Sequence, residues 1–188
     1  MRPTAQLIEE RIIVTPILSK SQFGSVEINL RLGRQFLIFK KHLQKSLGPS
    51  TMRGYEREIH KFQEEVVIDY GQEIVLHPGE LLIGSTLEYV VLPRDIEAQV
   101  MGRSSWARLG LIVATATTIH PLFKGVITLE LSNNGTIPIQ LQPTNEIAQI
   151  IFHNVEPPVT TENESRYSCS IGPGFSRIYR DNVIFKDI

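Results

Sequence analysis

Two arginines and two serines fall together in Arg103-Ser104-Ser105-Trp106-Ala107-Arg108, bracketed by Gly102 and Gly110. That set is suited to gripping an anion. Guanidinium forks match phosphate oxygens in pairs, hydroxyls and loop N–H groups fill the remaining acceptors, and glycines let the backbone come close. A short way further on, Lys124 to Ser132 reads as a strand with one carboxylate. Its alternation puts Val126, Thr128, Glu130 and Ser132 on one face and Ile127, Leu129 and Leu131 on the other. The apolar face supplies core, and Glu130 is held towards a polar space. A partly desolvated glutamate has a raised pKa and shuttles protons well near neutral pH. The plainer readings are a solvated strand glutamate and a surface loop whose arginines pair with acidic neighbours. The density of the glycine-bracketed set favours the anion grip, and grip plus carboxylate suggests chemistry on a phosphorylated small molecule.

The elements that must position these groups are mostly short strands. Ile28, Leu30 and Leu32 alternate with Glu27, Asn29 and Arg31, which predicts a strand over Val26 to Leu32. Gly33 permits a turn, and Gln35 to Phe39 reads as the returning strand. Residues 40–64 differ in texture, rich in Lys, Glu, Gln and His around Gly48-Pro49-Ser50. They read as a loop and then a short helix near Met52 to Glu64, and residues 4–11 allow one or two helical turns. From Val66, apolar runs alternate with turn signals: Val66–Ile68, Glu73–Leu76, Leu81–Leu92, Ile96–Met101, Leu111–Ala116, Val126–Leu131, Ile137–Leu141 and Ile147–Phe152. Asn133-Asn134-Gly135 reads as a hairpin turn. This spacing favours a sandwich or small barrel. From Glu156 the chain turns polar, and Gly172-Pro173-Gly174 marks a flexible tail. The expected division is a β domain over 1–155, with a polar insert at about 41–64, and a tail over 156–188.

Composition bounds the function. The chain has 188 residues, 41% hydrophobic, with a formal net charge of −1. That fits one domain with a real core and gives no global pull towards nucleic acid or an acidic membrane. Cys169 is the single cysteine, so an intrachain disulfide framework and any multi-cysteine zinc site are excluded. A reducing, cytoplasmic setting follows. The first eleven residues carry two glutamates and no apolar run, unlike a signal peptide, and no run approaches the ~18 apolar residues of a membrane span.

These residues resemble the dCTP deaminase branch of the dUTPase-like superfamily. The resemblance rests on GRSSWARLG, VATATTIHPLFKGVITLELSNNG and EIAQIIF, with HPGELLIGSTLEYVVLP before them, NLRLG near residue 33, and the tail SRYSCSIGPGFSRIYRD. It covers residues 12–40 and 66–181. It implies a distorted jelly-roll-like β-barrel with short peripheral helices and a C-terminal lid, assembled as a homotrimer with sites between subunits. The implied substrate is a deoxynucleoside triphosphate (dCTP or dUTP) carrying Mg²⁺ on its phosphates. The implied reaction is hydrolytic deamination of dCTP to dUTP and ammonia, and some members also release diphosphate to give dUMP.

The resemblance also implies roles. Glu130 matches the family's catalytic glutamate, with Arg108 close to the base. Arg103, Ser104 and Ser105 would contact phosphates. Zinc deaminases use an H-x-E…P-C-x-x-C site, and this chain has one cysteine and no His-x-Glu, so the expected mechanism is metal-free acid–base work. Ala114 to His120 would form the base and sugar pocket, with Thr118 and His120 as contacts. Gln149 reads equally as a ligand contact or a structural amide. Arg166, Tyr167 and Ser170 belong to the lid, which would run from Arg166 to Arg177.

The match has departures. His120 stands where the family often has Asp, Leu122 where it has Gly, Asn29 where it has another acid, and Ser168 and Ser170 where it has glutamines. Three readings follow: a dCTP deaminase; a dUTP diphosphatase, alone or coupled to deamination; and a binding module that kept the nucleotide pocket without turnover.

Overall fold

A computed structural model of the chain describes residues 11–40, 62–160 and 169–177. Among them the architecture is mainly β, as expected. One sheet contains β4 (Gln63–Val67), β3 (Gln35–Phe39), β6 (Leu81–Val91), β10 (Lys124–Asn133) and β8 (Leu111–Val113) in that order, with β1 (Ile13–Thr15) also on β6. A second sheet has the order β2 (Glu27–Arg31), β12 (Glu146–Asn154), β7 (Ile96–Gly102) and β9 (Thr118–Ile119). A small pair joins β11 (Ile139–Leu141) to β5 (Ile74–Leu76). All these pairings are antiparallel. The sheets do not close into a continuous barrel; the distorted jelly-roll description fits them. Among the described residues no helix is long and apolar enough to cross a membrane.

Period-two alternation explains how the sheets meet. Ile28 and Leu30 of β2, Ala98 and Val100 of β7 and Ile150 of β12 point inward from one sheet. Leu82 and Val90 of β6 and Leu129 and Leu131 of β10 point inward from the other, into the same core cluster. Each of the valine, leucine and isoleucine side chains among them contributes roughly 1.5–3 kcal/mol by leaving water. The outward face of β10 is left to Thr128, Glu130 and Ser132, all half-buried.

Several expected elements pair differently from the sequence reading. β2 and β3 do not form a hairpin; they belong to different sheets. The Leu32 carbonyl accepts from Thr144 N–H, and Gly33 N–H donates to the Ser85 carbonyl at 2.8 Å, so the chain crosses between layers at the expected turn. Likewise β11 pairs with β5, not with β10. Asn133 is fully buried, and its amide donates to the carbonyls of Leu76 and Ile137, 2.9 Å each, which turns the chain away from β10. The expected helix near Met52 to Glu64 ends in error, because Phe62 is a turn and Gln63 and Glu64 open β4; residues 52–61, and the helical turns over 4–10, lie outside the described residues.

Arg31 is the largest surprise in β2. It was expected on the polar face with Glu27 and Asn29, yet it is buried. Its Nε donates to Glu88 Oε1 at 2.7 Å, its backbone N–H donates to Glu88 Oε2 at 2.8 Å, and its Nη2 donates to the Pro16 carbonyl at 2.8 Å. Gln22 adds a donor to Glu88 Oε1 at 3.0 Å. Burial pushes the Glu88 carboxyl above the ordinary carboxylate range, and the Arg31 N–H and guanidinium pull it back.

Candidate active site

Glu130 is placed by β10. Its backbone pairs with Ile83 of β6 on one side, and its carbonyl accepts the Ala114 N–H at 2.8 Å on the other. The side chain is half-buried on the outward face, and its Oε2 is a buried oxygen without a hydrogen-bond partner among the described residues. Desolvation raises its pKa, and its own backbone N–H works in the opposite direction. A carboxyl in this position holds a proton more readily than a solvated one and still has an oxygen free to receive a donor. The plainer reading of a fully solvated glutamate does not describe it.

The arginine–serine loop follows β7. Arg103 leaves the sheet with extended backbone angles, and α1 (Ser104–Ala107) makes one turn. Ser104, Ser105 and Arg108 are exposed. Trp106 packs on the core edge, and its Nε1–H donates to the Glu146 carbonyl at 2.8 Å. Arg103 makes an ion pair with the Glu146 carboxylate through Nη1. So one of the two arginines does pair with an acidic neighbour, as the plainer reading of the loop had it.

The loop returns to the sheet through Gly110, whose φ is +96°. A Cβ there would lie 2.6 Å from the backbone of Gly135. Gly110→Ala is therefore expected to lower stability by at least about 1–3 kcal/mol, the cost of the backbone conformation alone. Urea unfolding of the two proteins checks this, and coincident midpoints would refute it. β8 then carries the chain along β10, with Leu111 opposite Asn133, Ile112 opposite Ser132 and Val113 opposite Leu131. The turn after the arginines thus meets β10 three ladder positions from Glu130, roughly 10 Å at the strand repeat.

Ala114 to His120 bridges the two sheets. Ala114, Ala116, Thr117, Thr118 and His120 are exposed, and Thr118 pairs with Gln99 of β7. Thr115 is anchored instead, its hydroxyl donating to the Thr128 carbonyl at 2.6 Å. Leu122 has φ +67°, the left-handed region that a glycine enters freely and a leucine enters at about 1–2 kcal/mol. This is the position where the family resemblance places glycine. Gln149 donates to the Asn29 side-chain oxygen at 3.0 Å across the β2–β12 pair, so its amide is engaged within the chain.

The described part of the tail lies on the Glu130 side of the sheet. Cys169 N–H donates to the Lys124 carbonyl at 2.6 Å, and the Ser170 carbonyl accepts from Val126 N–H at 3.0 Å. The Ser170 hydroxyl donates to the Val126 carbonyl at 3.2 Å. Gly174 N–H then reaches the Thr128 hydroxyl at 3.4 Å, and Gly172 lies against Gln35 of β3. The segment crosses from β10 towards β3 at the level of Thr128, two positions along the strand from Glu130. Arg166, Tyr167 and Ser168 lie outside the described residues, as does most of the 41–64 segment. Among the described residues no group of three or more His, Cys, Asp or Glu side chains is placed to hold a metal ion.

Sequence reasoning missed Glu146, and it read Thr115 as part of the open pocket, where its hydroxyl is tied to the Thr128 carbonyl. The nearest signal for Glu146 is the Glu-Ile-Ala-Gln run itself, where only Gln149 drew notice.

A family model described as dCTP deaminase-like matches residues 2–155. A protein of Natronomonas pharaonis named dCTP deaminase is 41% identical over 165 residues, covering 85% of this chain and 83% of that protein. One from Halobacterium salinarum, named dCTP deaminase, dUMP-forming, is 38% identical over 183 residues, covering 94% of this chain and 92% of that protein. Among solved structures, the 2'-deoxycytidine 5'-triphosphate deaminase of Agrobacterium tumefaciens superposes with a TM-score of 0.61 at 25% identity, covering 81% of this chain and 46% of that chain. With its β layers, its arginine–serine loop and these relatives in agreement, this chain belongs to the dCTP deaminase-like family.

Proposed function

We propose that the chain is an enzyme that hydrolytically deaminates dCTP, with Glu130 as its proton-transfer group. The observation that carries this reading is the Glu130 carboxyl: half-buried, raised in pKa by desolvation, and with one buried oxygen lacking a partner among the described residues. In the reaction, Glu130 takes a proton from water as the oxygen adds to C4 of the cytosine. That proton is delivered to N3; the carboxylate then takes the second proton, from the hydroxyl now on C4, and gives it to the leaving amine, so ammonia departs and C4 keeps its carbonyl oxygen. Arg108 orients the water or the carboxyl. Ser104, Ser105 and the open edge of Arg103 receive the phosphates of a Mg²⁺–nucleotide complex. Thr118 and His120 border the base and sugar, and the tail from Arg166 to Arg177, with Arg166, Tyr167 and Ser170 as its contacts, closes over the nucleotide.

The product proposed is dUMP with diphosphate, in place of the dUTP of the sequence expectation. Support comes from relatives named dUMP-forming, in Halobacterium salinarum and, at 35% identity over 93% of this chain, Methanosphaera stadtmanae. The site is completed in a homotrimer. Leu81 and Ile112 flank Ser132 in register on the Glu130 face and are exposed, as is Leu109 on the arginine loop, which supports apolar contact with further copies.

Chromatography of a reaction started with dCTP and Mg²⁺ tests both parts. The expected result is equal yields of ammonia, dUMP and diphosphate. dUTP accumulating as the end product would remove the second hydrolysis, and absence of ammonia would remove the deaminase reading.

A further inference from the structure

The ion pair between Arg103 and Glu146 has no part in the chemistry described so far. Its two side chains are 31% and 29% exposed, at the rim of the sheet and not in the core. Only Nη1 of the guanidinium is engaged, by Glu146 Oε2, and the other edge of the fork makes no hydrogen bond among the described residues. Glu146 is itself held on three sides. Its backbone is opposite Arg31 of β2, its carbonyl accepts the Trp106 indole N–H at 2.8 Å, and the next residue, Ile147, accepts the Arg103 N–H at 3.3 Å. The start of β12 therefore grips the arginine loop at backbone and side chain together.

We propose that Glu146 is a positioning residue for substrate binding, fixing the Arg103 guanidinium by one edge so that the other edge faces the phosphates of the nucleotide. An unrestrained arginine loses much rotamer freedom when it closes on a phosphate; one already held has lost that freedom on folding, and binding is tighter for it. The carboxylate touches neither base nor reacting carbon in this arrangement. Its effect falls on KM, and kcat is untouched. This inference rests on the deaminase reading above.

The experiment compares the wild type with E146A, E146Q, R103A and R103A/E146A in steady-state turnover of dCTP, with thermal melting as the folding control. E146A is expected to raise KM about tenfold with kcat within about twofold. E146Q retains an oxygen that accepts from Nη1 and is expected within about twofold of wild type in both constants. In the R103A background the Glu146 substitution is expected to add nothing, because the group it positions is gone. A KM for E146A equal to or below that of wild type, or additive losses in the double variant, overturns the proposal and leaves the deaminase reading standing. Loss of kcat with KM unchanged overturns it as well. Absence of turnover in the wild type overturns the deaminase reading itself.

Discussion

Replacing Glu130 with glutamine is expected to lower kcat for ammonia release about a thousandfold, within the range that a positioned general acid–base group supplies. The shape and the hydrogen-bonding amide are kept, so the Kd for dCTP is expected to stay within about threefold of wild type. The same substitution has a readout without substrate. Burial raises the folded-state pKa of Glu130 above its unfolded value. Between those two values the folded chain holds more protons than the unfolded one, so stability falls as pH rises through the window. Glutamine cannot ionise and carries no such loss. E130Q is thus expected to melt at or above the wild-type temperature at neutral pH, with the difference shrinking below the ordinary carboxylate pKa. Substantial turnover by E130Q would remove the carboxyl from the mechanism, and a lower melting point at neutral pH would contradict its desolvated setting.

Arg31→Met is expected to cost about 3–5 kcal/mol at neutral pH, the usual penalty for stripping one partner from a buried ion pair. Glu88 is fully buried and would keep donors from Gln22 and from the residue 31 backbone N–H, but no countercharge. Losing the guanidinium drives the already raised Glu88 carboxyl further up. The carboxylate is then the costly form, so the penalty shrinks as pH falls and the group takes up a proton. Denaturant unfolding at pH 7 and pH 5 measures both statements. A loss below about 1 kcal/mol at pH 7 would show that the cluster is not held by charge. A typical domain has only 5–15 kcal/mol in hand, so this variant is expected to accumulate poorly in cells.

The two cases differ in how far the sequence discloses them. Glu130 was legible because alternation is local: the apolar run Ile127, Leu129, Leu131 assigns the opposite face to its neighbours whatever the strand pairs with. The arginine–serine loop was legible from composition and from its bracketing glycines. Arg31 has the same alternating pattern as Glu27 and Asn29, and the pattern pointed the wrong way. What buries it is Glu88, 57 residues further on, on a strand of the other sheet. Pairing partners were hidden for the same reason. Gly33 and Asn133-Asn134-Gly135 carry proper turn chemistry, yet the chain uses them to change layers, and only contacts to Ser85, Thr144 and Leu76 reveal it. Glu146 lies 43 positions from Arg103, and nothing in the spacing of either marks the other.

The meeting of Gly110 with Gly135 limits the ways this chain is able to drift. A side chain at 110 has to displace the backbone at 135, and one at 135 points at the Leu109 carbonyl, 3.0 Å away. Position 110 is closed twice over, by its left-handed backbone and by this contact, whereas a shift of a few tenths of an ångström in the Leu109 loop would admit a small side chain at 135. Laboratory evolution towards new substrates would be expected to leave Gly110 untouched, and to find its variation along Ala114 to His120.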